Sequence, residues 1–264
     1  MNRPWRILYL AALAATTACG GADAAGNGSA GTQPDTALNR LAAELLPAAE
    51  LHSGLAARAP VRLATRSRDE LKAFLIAEMA RQLPPDRLEA IVRTYARLGM
   101  VPDDLDLEPL LRELLLEQVV GYYDPARDTL YVVEGVPEGQ VETVLVHELV
   151  HALQDQYMDL DSLMSANLEA NDRSTAAQAA MEGHATFAML EWQLAKLMGD
   201  EADLTLLPGL DALIGDDPLA VAGVEMPVLS EAPALIRESL LFPYLGGLVF
   251  VQQHLSLIHN SEPT

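Results

Sequence analysis

Val141-Glu142-Thr143-Val144-Leu145-Val146-His147-Glu148-Leu149-Val150-His151-Ala152-Leu153-Gln154-Asp155-Gln156 is the stretch whose reading decides the fold. No Gly or Pro interrupts it, and its apolar residues continue a helical pattern from Val141 to Tyr157. His147 and His151 are four residues apart, just over one helical turn, so both imidazoles project from one face and can meet one cation. Glu148 follows the first histidine, an offset that places a carboxylate beside a water on the metal rather than on the metal itself. It is the candidate general base. Val144, Leu145, Val146, Leu149, Val150 and Leu153 embed these polar groups in apolar surroundings, where His and Glu are costly without partners.

A hydrolytic zinc site takes three protein ligands and keeps a fourth position open. No further His follows His151 at the short spacing of the metzincin pattern, so the third ligand lies elsewhere. Glu182, in Ala179-Ala180-Met181-Glu182-Gly183-His184-Ala185-Thr186, is a carboxylate in a block of apolar and small residues and is the strongest candidate. His184 is its rival, but two residues along a helix it points to a different face. Asp155, four residues after His151, is a candidate to orient a ligand imidazole, or equally to cap a helix or face solvent. Tyr244, beside Pro243 and Gly246-Gly247, is placed to aim a hydroxyl at a developing oxyanion or to pack in the core. Two His and a carboxylate also suit iron(II), and the adjacent Glu148 tilts the expectation to zinc and hydrolysis.

Outward from this helix, strand signals are scarce and the expected fold is mainly α with a small β-sheet or hairpin (α+β). Ser67 with Glu70 three places later is a capping box that opens a helix ended by Pro84-Pro85. Further helices are expected over Pro85 to Leu98, Leu107 to Val119 and Ser174 to Met198, over Ala232 to Leu241, and again after Pro243. Leu207 to Val228 is punctuated by Pro and Gly and reads as a connection. Between Gly121 and Val133, aromatic and β-branched residues flank Asp124-Pro125, which reads as a hairpin beside the active-site helix, either purely structural or with a free edge that accepts an extended peptide.

The N-terminus reads as a targeting segment. Arg3 and Arg6 precede the short apolar run Ile7 to Ala15, which predicts a signal peptide over residues 1–18 and export. Cys19, followed by Gly20-Gly21, resembles the lipidated residue of a bacterial lipoprotein, so a membrane-anchored protein is expected. Residues 19–35 are small and polar and read as a flexible tether. Residues 36–117 form a helical N-terminal part and 118–254 the part that carries the site, while 255–264 resemble a non-native tail. A net charge of -21, from 38 acidic and 17 basic residues, argues against a nucleic-acid partner.

Three elements together, His147 to Gln156, Glu182 to Thr186 and Phe242-Pro243-Tyr244-Leu245-Gly246-Gly247, resemble a group of exported bacterial proteins carrying H-E-L-x-H-A-L-Q-D-Q, E-G-x-A-T and F-P-Y-x-x-G. Tyr122-Tyr123-Asp124-Pro125 matches as well, and the resemblance runs from about Leu107 to Phe250. The wider class it resembles is that of gluzincin-type zinc metallopeptidases. The resemblance implies a zincin-like fold and zinc on His147, His151 and Glu182. It also implies Glu148 as base and later proton donor, and a peptide or protein substrate. His184 departs from the pattern, where a carboxylate is common. The alternative from another class is a lipid-anchored binding or assembly protein with a structural or vestigial zinc site.

Overall fold

The computed structural model describes residues 36–136, 138–166, 171–199, 203–207, 210 and 226–261. The expected signal peptide, Cys19 and the expected tether lie outside the described residues, as does most of the expected 207–228 connection. The described part is mainly helical with one small mixed sheet, an α+β arrangement.

Helix α1 (Thr36–Ser53) leads to strand β1 (Arg62–Arg66), followed by α2 (Arg68–Gln82), α3 (Pro85–Arg97) and α4 (Leu107–Gln118). The start of α2 is fixed by the expected capping box: Ser67 Oγ accepts from the Glu70 N–H at 3.2 Å, and Glu70 Oε2 accepts from the Ser67 N–H at 2.9 Å. Pro85 supplies the first turn of α3, and Gly99, at φ 68°, follows its last turn.

The hairpin is strands β2 (Gly121–Asp124) and β3 (Thr129–Val133), joined by a turn in which the Arg127 N–H reaches the Asp124 carbonyl and the two side chains form an ion pair. Sequence reading missed β1, whose two terminal arginines hide a short strand. It pairs parallel to β3, in the order β1-β3-β2, so β3 is the central strand and β2 an edge.

Helix α5 (Glu138–Tyr157) carries the His-Glu motif, and every residue from 143 to 154 is buried. A helix buried all round must be covered on all sides. Tyr123, Leu130 and Val132 cover it from the sheet, Leu38, Leu45 and Ala49 from α1, and Ala185, Ala188, Met189 and Trp192 from α7 (Asn171–Met198). A short α6 (Leu160–Ala166) separates α5 from α7.

After α8 (Pro227–Glu231), helix α9 (Ala234–Ser261) packs along α7. It corrects the expected break at Pro243, which lies inside the helix. Proline removes one helical hydrogen bond, but packing against α7 holds the helix on both sides of it. The contact is backbone on backbone: a Cβ at Gly183 of α7 would meet Gly247 of α9, and one at Gly247 would meet Ala179 and Gly183. The Ala234–Leu257 part of α9 is long and apolar enough to cross a membrane by composition alone, and a third of its apolar 18-residue window is buried in this fold. Residues 255–261 continue the helix, and Leu255 packs against the cluster of Phe187, Leu204 and Leu248.

Candidate metal centre

One turn of α5 and the middle of α7 bring three ligand atoms to a single point. His147 Nε2 lies 3.1 Å from His151 Nε2, and Glu182 Oε2 lies 3.2 Å from the first and 3.1 Å from the second. Zinc bonds of about 2.0–2.1 Å at tetrahedral angles hold their donors about 3.3 Å apart, so these edges match such a centre. All three residues are buried, and Glu182 Oε1 has no hydrogen-bond partner. A buried carboxylate oxygen left without a partner costs at least ~1–3 kcal/mol, a penalty that a cation removes. Donor set, spacing and orphaned oxygen all fit a divalent ion.

Electrostatics point the same way. Burial alone would raise the Glu182 carboxyl, but the charge of His151 and hydrogen bonds from both histidines pull it down to about 2. Burial lowers His151, and Glu182 more than offsets this, by charge and by hydrogen bond, raising it to about 9. His147 is held below the ordinary histidine value by burial.

Glu148 is buried beside this group and is not part of it. Burial raises its carboxyl to about 7. Its Oε2 accepts the Tyr123 N–H of β2 at 2.7 Å. That donor is the strand's outward one: Val133 N–H bonds Val120, so the Tyr122–Tyr131 and Asp124–Thr129 pairs bond inward and residues 121 and 123 face away from β3. The edge donor at which a docking strand would bond is therefore already held by Glu148. Gly121 packs so closely on α5 that a Cβ there would lie 2.9 Å from Val144.

Tyr244, on α9, is buried with its ring centroid 6.1 Å from that of His147. It sits in mid-helix, not in a turn. Asp155 does not reach a ligand: its Oδ2 accepts from the Tyr123 hydroxyl at 2.8 Å and its Oδ1 from the Leu160 N–H at 2.7 Å. Gln154 reaches one instead, its Oε1 lying 2.9 Å from His151 Nδ1. Sequence reading missed it, although its i+3 spacing from His151 places it over that ring. His184 bonds Gln154 and the Ser53 carbonyl, away from the three ligand atoms. His52, without ligand spacing in the sequence, pairs with Glu191 at 3.3 Å.

No protein-family model matches the chain, nor does any curated protein or solved structure at a significant level. The functional reading rests on the site's own geometry.

Proposed function

We propose that the protein is a zinc-dependent hydrolase, a zincin-like metallopeptidase of the gluzincin type, with zinc held by His147, His151 and Glu182. The convergence of these three ligand atoms in the core, with Glu148 beside them, is the observation that carries the reading. When bound, zinc supplies the Lewis acidity that makes water a nucleophile near neutral pH and polarises a carbonyl.

The chain supplies the proton handling. Glu148, with a carboxyl raised to about 7, accepts a proton from the attacking water and returns it to the leaving amine. The Tyr123 N–H fixes one oxygen of that carboxylate. For an extended substrate to pair with β2 at residue 123, Glu148 must let go of that N–H. Tyr244, whose ring packs near His147, is the candidate to support an oxyanion.

The structural-zinc alternative needs a fourth protein ligand. His184 and Asp155, the two residues expected for that task, are engaged elsewhere, and among the described residues the group is His147, His151 and Glu182 alone, which favours an open, hydrolytic site. Export and a lipid anchor at Cys19 remain part of this proposal and place the substrate outside the cytoplasm. The test is cleavage of a mixed peptide library by the zinc-loaded protein and by Glu148→Gln. The proposal expects cleavage by the first and none by the second at equal zinc content. Equal cleavage by both removes Glu148 as base, and no cleavage by either, with zinc bound, favours the structural role.

A further inference from the structure

We infer that Gln154 and His184 form a positioning relay that sets the tautomer of His151 and ties the metal centre to the end of α1. The inference rests on the zinc reading above. It is carried by two backbone carbonyls, which can only accept. His184 Nε2 lies 3.0 Å from the Ser53 carbonyl, so that nitrogen carries the hydrogen. In the neutral ring Nδ1 is then an acceptor, and it faces Gln154 Nε2 at 3.1 Å. Gln154 Nε2 also donates to the Met181 carbonyl at 3.0 Å, which uses both amide hydrogens. The amide oxygen is left to face His151 Nδ1, which must donate to it at 2.9 Å. His151 Nε2 is thereby the nitrogen turned to the ligand cluster, with its lone pair available to a metal.

Each member has a reason to stay in place. Gln154 is 1 % exposed, so rotating its amide would set like groups against each other at both ends. Ser53 ends α1, where the last carbonyls lack partners within the helix, and His184 satisfies one of them. His184, the position that departs from the resembled pattern, thus takes the part of a strut. It also explains how α1, which brings no ligand, bears on the site.

The experiment measures zinc affinity by competition with a chromophoric chelator, together with the visible spectrum of the cobalt(II) form. Wild type, Gln154→Leu, His184→Leu and His184→Gln are compared, with helix content checked by circular dichroism. Gln154→Leu should bind zinc about 10–100-fold more weakly and shift the cobalt bands, the usual size for losing the partner of a ligand imidazole. His184→Leu should weaken binding in the same direction, whereas His184→Gln, with one acceptor and one donor, should restore it. Unchanged affinity and spectrum in folded Gln154→Leu would overturn the relay. Should Gln154→Leu not fold, wild-type affinity in His184→Leu would overturn it alone. Failure of the wild type to bind zinc would instead remove the metal reading on which the relay stands.

Discussion

Replacing Gly183 with alanine puts one methyl group where α7 and α9 touch backbone to backbone. Its Cβ would lie 2.5 Å from the Gly247 Cα and closer still to that residue's carbonyl. Carbon pairs are comfortable at about 3.5–4.0 Å, so the helices must part by roughly 1 Å or more. No flexible side chain is there to give way. Overpacking of this kind costs about 1–3 kcal/mol, and a clash with rigid backbone belongs at the upper end. Alanine recovers about 1 kcal/mol through helix propensity, leaving a net loss of ~2 kcal/mol. In a chain of this size that lowers the melting temperature by about 4–8 °C.

The movement also separates Tyr244 from His147 and shifts Glu182, the neighbour of Gly183, so zinc affinity should fall with stability. Gly246→Ala is the control: the atoms nearest its Cβ would be those of the Phe242 ring, at 2.7 Å, and that ring is half exposed and able to turn. Thermal melts and zinc titrations of both variants decide the matter. A Gly183→Ala protein as stable as wild type, or a Gly246→Ala protein equally damaged, would refute the close helix crossing as the device that seats the site.

Other outcomes follow from the same geometry. Free zinc at 100 times its dissociation constant should stabilise the protein by about 2.7 kcal/mol, a shift visible in thermal melts and reversed by a chelator. Glu182→Ala should abolish that shift. Tyr244→Phe should leave zinc affinity unchanged; a fall in kcat of about 10²-fold or more, the scale of losing an oxyanion donor, would place the hydroxyl in the reaction, and an unchanged kcat would leave Tyr244 to packing. Burial raises the Asp155 carboxyl, against lowering hydrogen bonds from Leu160 and Tyr123. A carboxyl raised on folding stabilises the fold while protonated, and that contribution is lost as pH rises above its unfolded value near about 3.9. Asp155→Asn, which can keep both hydrogen bonds, should therefore match or exceed wild-type stability at pH 7 and lose the advantage near pH 3. A less stable variant at pH 7 would contradict this.

What the sequence revealed and what it hid divide along physical lines. The apolar residues around His147 and His151, the Ser67–Glu70 capping box and the turn-flanked hairpin are local patterns, and each predicts its element without knowledge of the rest. Glu182 stood out because a lone carboxylate in an apolar helix needs a partner. Strand β1 stayed hidden because its stability comes from pairing with β3, more than sixty residues away, and not from its own composition. Pro243 misled for a related reason: its local cost is outweighed by a glycine-mediated contact with α7 that only the tertiary structure contains. The Tyr123 N–H on Glu148 is a backbone group and leaves no mark in side-chain identity. Gln154, not the expected Asp155, holds the His151 ring; its i+3 spacing was the signal overlooked, and Asp155, one residue on, faces Tyr123 and Leu160.

The central claim is that His147, His151 and Glu182 hold one divalent ion with a position left open. Zinc titration combined with zinc K-edge absorption spectroscopy tests it most directly. The account predicts one zinc per chain, bound by two imidazole nitrogens and protein carboxylate oxygen with a further light oxygen ligand from solvent, and loss of that site in Glu182→Ala. No zinc bound, or a site with three or more imidazoles that survives Glu182→Ala, would contradict it.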